Sequence, residues 1–220
     1  MYKKGGIFSV LCSLCYLATG ILVVLQPVIF QDANVDLFLN TMAENPMCFI
    51  LYYLAIALSA FFGLGVVEQI TNFLKVNDSE LVKWTQRLAY IGFAVLAMSY
   101  FKVFTVKPYM SNFYMSATES EKEIILTMDA YISFAPNGIV TYGFMGIWIL
   151  SVCILSLRRK NVSLICSITG IILGIILISV TAQNVGALAT AILNTAKGSI
   201  SFLWFGLIGI NMIKSKDDIR

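Results

Sequence analysis

The chain contains no histidine among its 220 residues. That absence removes histidine-ligated haem, histidine-based zinc sites and a histidine general base together. Charge is scarce as well, at 12% of residues against roughly 25% in soluble domains. The twelve carboxylates fall in expected loops, termini or helix ends. Proton pumps and intramembrane aspartyl proteases place an acid at mid-membrane, so neither class is expected. No cysteine falls in a loop, where an extracellular disulfide framework would need it. Cys12, Cys15, Cys48, Cys153 and Cys166 all lie in apolar runs. Cys12-x-x-Cys15 spells a redox motif, but on a lipid-immersed helix these thiols read as packing groups. The cations form no basic patch interleaved with aromatics, so nucleic acid is not an expected partner. No cofactor and no metal site is expected, and the chain reads as a non-enzyme.

What remains is apolar. Hydrophobic residues make up 59% of the chain and mean hydropathy is +0.84. The long runs are continuous rather than alternating, which excludes an outer-membrane barrel and selects helices. The expected fold class is all-α, a polytopic membrane helical bundle of six transmembrane helices. An outer amphipathic helix lies between spans three and four. One integral-membrane domain covers residues 1–220, with spans near 7–30, 47–67, 88–106, 138–157, 162–182 and 190–213. The first run follows Lys3-Lys4 but is about twice the length of a signal-peptide core and has no small-x-small cleavage site, so it reads as an uncleaved span.

Faces can be assigned within the spans. Ser9, Cys12, Ser13, Tyr16, Thr19 and Gly20 share one side of the first helix and should face protein. Leu11, Leu14, Leu22 and Leu25 should face lipid. Ser59 and Gly63 mark a packing face of the second span. Ser163, Ser167, Gly170 and Gly174 mark one on the fifth, where Gly170-x-x-x-Gly174 is a small-xxx-small pair. Its expected neighbour is the fourth span, through Gly143 and Gly146.

Loops carry the remaining signals. Asn77-Asp78-Ser79-Glu80 reads as a helix break followed by a new start. Lys107-Pro108 is expected to end the third span. Residues 107–137 should then hold the outer helix, opened by a capping box at Thr118-x-x-Glu121 or Ser120-x-x-Glu123. Its apolar face would comprise Ile124, Ile125, Met128, Tyr131, Ile132 and Ala135, and it is either a connector or a lid. Residues 35–42 should form a short interfacial helix. Arg158-Arg159-Lys160-Asn161 leaves room only for a tight antiparallel hairpin.

With six spans, one side receives Lys3, Lys4, Lys75, Lys83, Arg87, Arg158, Arg159, Lys160, Lys214, Lys216 and Arg220. The other receives Lys107, Lys122 and Lys197. The bias places both termini in the cytoplasm. Lys102 is left inside a span, near its outer end, where its long stem would carry the ammonium to the headgroups. Gln183, Asn184, Asn194 and Thr195 cluster at the outer half of the last two spans. Lys102, Gln183, Asn184 and Asn194 are the candidate ligand-binding residues of an outward polar pocket. Ser99-x-x-Lys102 also spells a serine–lysine dyad, with no companion motif beside it.

Glu44-Asn45-Pro46 before the second span and the Arg-Arg-Lys turn leading to Ser167-Ile168-Thr169-Gly170 resemble a bacterial membrane family, domain of unknown function 4386. The resemblance extends over nearly the whole chain through short motifs. It implies a six-helix inner-membrane protein and brings no activity with it. Members often carry a proline–arginine pair before the fifth span, where this chain has Lys160-Asn161.

Two function classes follow, with a third, an intramembrane enzyme, disfavoured because plausible bases are missing. One is a membrane module that binds a protein partner, a subunit or a second copy of itself through its small-residue faces, within the lipid bilayer. The other is a small-solute transporter or substrate-binding membrane component using the outward pocket.

Overall fold

A long apolar segment offers its backbone amides no partner but one another, and every regular element among the described residues is accordingly a helix. The computed structural model describes residues 2–25, 35–132, 138–160, 163–181 and 187–215. The helices are α1 (Tyr2–Leu25), α2 (Val35–Glu44), α3 (Pro46–Phe73), α4 (Glu80–Ser116), α5 (Glu119–Ile132), α6 (Phe144–Arg159), α7 (Leu164–Ser179) and α8 (Ala187–Lys214). A π-helical turn, Ile139–Gly143, opens α6.

Among the described residues, five helices are long and apolar enough to cross a bilayer: α1, α3, α4, the π turn continued by α6, and α8 from Ile192. The apolar helix α7 has 16 residues, about 24 Å at 1.5 Å per residue, short of a hydrocarbon core of roughly 30 Å. The expected fifth span is therefore present as an apolar helix of less than full length among the described residues. The expected first span ends at residue 30 and the expected fifth at 182, both outside the described residues.

Six helices close on one another in the order α1, α3, α4, α6, α7, α8 and back to α1. Small residues set the close approaches. A Cβ on Gly63 would stand 2.3 Å from the Phe93 ring, so α3 and α4 meet there through glycine alone. A Cβ on Gly170 would stand 2.3 Å from Cys153 Sγ and 2.5 Å from Trp204 Nε1. Gly146 and Gly174 each face the other's carbonyl, at 2.8 and 2.9 Å from the same construction. The small face of α7 is thus filled by α6 and α8 of the same chain. On α1 the expected face is buried at Ser9, Cys12, Ser13 and Tyr16, while Leu14 and Leu25 are exposed. Ser9 Oγ donates to Phe205 O and Ser13 Oγ to Phe202 O, each at 2.7 Å, pinning α1 to α8. Gly20 departs from the reading, being exposed near the end of the helix.

One end of the ring is basic. Lys160 closes α6 in the left-handed conformation (φ 53°), and Ser163 caps α7 by accepting from Cys166 N. Arg159 Nη1 donates to Asp78 Oδ1 at 2.6 Å and to Lys75 O at 3.1 Å, joining the α6 end to the break between α3 and α4. That break falls where the Asn77–Glu80 pattern put it.

At the other end, two expectations give way. The third span does not stop at Lys107-Pro108, because α4 continues to Ser116. Proline forfeits one backbone bond, and burial of Val103, Lys107, Met110, Ser111 and Tyr114 along one face outweighs it. The face of α5 is also rotated from the apolar stripe. Ile125 and Asp129 are buried, whereas Ile124 and Met128 are 60% and 52% exposed. The reason is electrostatic: Asp129 must meet the buried Lys107, and Ile125 lies one turn before it. Thr118 supplies the capping box, with its N and Oγ1 donating to Glu121 at 2.8 and 2.6 Å. Bonding to Thr118 lowers the Glu121 carboxyl below its ordinary range. The expected helix at 35–42 is present as α2, with Leu39 and Met42 fully buried beneath it.

Candidate functional site

The interior of the helix ring changes character along its axis. Toward the basic end it is aromatic. Phe93 on α4, Trp148 on α6, Trp204 and Phe205 on α8 and Tyr16 on α1 form a continuous series of ring contacts, with centroids 4.9–6.4 Å apart. Both indoles are fully buried. Each finds a partner on a further helix, Trp148 Nε1 on Thr71 Oγ1 and Trp204 Nε1 on Cys166 O, both at 3.2 Å. Every helix of the ring is therefore tied into one aromatic floor. Counting 1.5 Å per residue from the basic helix ends puts the two tryptophans about 15 Å in.

Above that floor the interior is polar. Tyr16, Tyr53, Tyr100 and Tyr142 come from α1, α3, α4 and the π turn, and all four are buried. Ser59 and Ser201 flank the Tyr16 hydroxyl. The Tyr100 and Tyr142 hydroxyls interact with each other, and the Tyr53 and Tyr100 rings lie 6.2 Å apart. A phenol presents an apolar body and one polar tip, so four of them make a wall that is dry yet hydrogen-bonding. The π turn aims Tyr142 inward. Widening the helix by one residue per turn re-directs a side chain, and such turns recur at functional sites.

Lys197 enters this layer from α8. Its Nζ stands 4.1 Å from the centre of the Tyr142 ring, and the side chain is partly buried. It has no carboxylate partner among the described residues. One turn before it, Asn194 Oδ1 is buried with no hydrogen bond among the described residues, and one turn after it Ser201 Oγ lies beside the Tyr16 hydroxyl. Unpaired buried polar atoms are rare and ask for an explanation. Here three polar groups at spacings of three and four occupy one face of one helix.

A second charged group, an ion pair, lies toward the far end. Lys107 Nζ lies 3.0 Å from Asp129 Oδ1, with both side chains 9% exposed. Its Nζ also stands 5.0 Å from the Phe38 ring of α2. Tyr114 donates to Asp36. The α4 extension thus holds α2 and α5 against its own flank at that end.

The candidates named from sequence separate. Lys102 is exposed, on the strip of α4 that carries Ile91 and Met98, the latter 73% exposed. It does not line the interior. Gln183 and Asn184 lie outside the described residues. Asn194 alone belongs to the polar layer. Lys197, which charge counting sets on the outer side, lies inside α8 as the expected span 190–213 implies, and Lys107 is buried in α4 rather than in a loop. Tyr100 was passed over as well. The signal for Lys197 was the stripe Asn194, Lys197, Ser201, Phe205, Ile208, Met212, whose period is helical throughout.

Redox and metal features are sparse. All five cysteines are free, Cys12 donating to Ser59 O and Cys166 accepting from Asn211. Among the described residues no group of three or more Cys, Asp or Glu is placed to hold a metal. No family model, no curated protein and no solved structure matches the chain.

Proposed function

We propose that this is a membrane-embedded, non-enzymatic binding protein for a small polar solute, of the transporter type. The solute enters the helix ring from the end opposite the basic one. The observation that carries the reading is the Lys197 ammonium seated on Tyr142 with no carboxylate beside it. A cation held inside a bundle without a counter-charge is costly, and such residues mark ligand and ion pathways. The polar layer above an aromatic floor supports binding from one side. The bias of lysine and arginine supports a cytoplasmic basic end and both termini on that side. Kinship with domain of unknown function 4386, and with it an inner-membrane location, is part of the same proposal. The small-residue faces are occupied within the chain, so a protein partner would have to use another surface.

The test is thermal unfolding of the protein in lipid nanodiscs across a panel of small solutes grouped by charge. A ligand at a hundred times its Kd adds about 2.7 kcal/mol of stability. The expected result is stabilisation by some solutes, lost in Lys197→Ala and kept in Lys102→Ala. Stabilisation by none, or equal loss in both variants, contradicts the proposal.

A further inference from the structure

Resting on the solute-binding reading above, we infer that the ligand is a small, singly charged 2-hydroxycarboxylate, its carboxylate on Lys197 and its hydroxyl on Asn194.

The charge inventory of the polar layer comes first. Lys197 is its one cation among the described residues. Arg87, Arg158 and Arg159 lie toward the basic end of their helices, so no guanidinium fork of the described residues reaches the layer. A phosphate monoester carries nearly two charges and is ordinarily gripped by arginine or by several donors. One ammonium balances one negative charge. A cationic solute would be repelled by Lys197, and the Tyr142 face that would otherwise attract it is already taken. An amino acid brings its own ammonium, and this layer offers it no carboxylate, since Asp129 is committed to Lys107 at 3.0 Å.

The second observation is the orphaned acceptor. Asn194 Oδ1 is buried and unbonded, one turn from Lys197 on the same face. A carboxylate alone supplies no donor for it. A hydroxyl on the carbon beside the carboxylate does, at the reach of adjacent positions on a helix, where Cβ atoms stand about 5–6 Å apart. Ser201, 1% exposed, lies on the floor side of the lysine beside the Tyr16 hydroxyl and bounds the site there. The ligand thereby satisfies both Lys197 and Asn194. The phenols of Tyr16, Tyr100 and Tyr142 keep the site narrow, which favours a chain of few carbons.

The experiment is equilibrium binding in nanodiscs with lactate, propionate, lactamide and inorganic phosphate as probes. Lactate is expected to bind most tightly, with propionate weaker by about tenfold for one lost hydrogen bond. Lactamide, which keeps the hydroxyl and loses the charge, should not compete. In Asn194→Ala the preference for lactate over propionate should vanish while propionate binding persists. That ratio is internal to one sample and does not depend on how much of the variant is folded. Phosphate binding more tightly than lactate, lactamide matching lactate, or an unchanged ratio in Asn194→Ala each overturns the inference about ligand class. If none of the four probes binds, this inference falls. The solute-binding proposal falls with it only if the wider panel also yields no Lys197-dependent ligand.

Discussion

Replacing Asp129 with alanine should release α5 from the bundle. In the native protein Lys107 and Asp129 are each only 9% exposed, and their charged atoms are 3.0 Å apart. Removing one member of such a pair leaves an uncompensated charge, at a cost of about 3–5 kcal/mol. Two effects reduce it. The Phe38 ring 5.0 Å from Nζ retains about 1 kcal/mol of attraction, and the lysine stem can swing its ammonium toward water. A net loss of about 2–4 kcal/mol is expected, borne locally, because Ile125 is the main other anchor of α5. Hydrogen exchange at the α5 amides reads it directly. At 1.4 kcal/mol per tenfold, their exchange should quicken by roughly 30- to 700-fold. The paired change Lys107→Met with Asp129→Leu should restore most of the protection, since an apolar pair of similar volume often replaces a buried ion pair without loss. Native-like exchange in Asp129→Ala would refute the reasoning. A double variant as loose as the single would show instead that the pair orders α5 by geometry that apolar contact cannot supply.

Gly170→Ala should destabilise by about 1–3 kcal/mol, because its Cβ would fall 2.3 Å from Cys153 Sγ and 2.5 Å from Trp204 Nε1. Thermal melts in nanodiscs would detect this, and an unchanged midpoint would show that α7 is not packed as described. At the basic end, Arg159 holds the Asp78 carboxyl below its ordinary value of 3.8, chiefly by its hydrogen bond. A depressed carboxylate stabilises above its unfolded pKa and loses that contribution as pH falls through the folded one. The tie between α6 and the 74–79 break should thus hold at neutral pH and weaken below about pH 4. Asp78→Asn should remove that acid-dependent component in a melt series across the same window, and an unaltered pH profile would argue against it.

Much of this architecture was readable because its causes are local. Continuous apolar runs force helices, the serine and glycine spacing on α1 and α7 fixes which sides meet, and Asn77–Glu80 interrupts the backbone where it should. What escaped depends on partners distant in sequence. Lys107 ends a span if read alone, but with Asp129 across from it the helix runs on through Pro108. The same pairing turns α5 away from its most apolar stripe. Lys197 falls within the expected span 190–213, yet nothing nearby in sequence announces Tyr142 as the ring it meets. Lys102 drew attention for its isolation, yet it stands on an outward strip where its stem has somewhere to go. Half of the amide cluster proposed with it, Gln183 and Asn184, lies outside the described residues.

The central claim is that the polar interior beside Lys197 is open to solute from the far end and shut from the basic end by Trp148 and Trp204. A single cysteine at Asn194, in a chain whose five native cysteines are replaced, tests it most directly. The variant is reconstituted in sealed vesicles and treated with a membrane-impermeant thiol reagent from each side. The account predicts modification from the side opposite the basic loops only, slowed by a solute that stabilises the native protein. Modification from the basic side, or from neither, would contradict it.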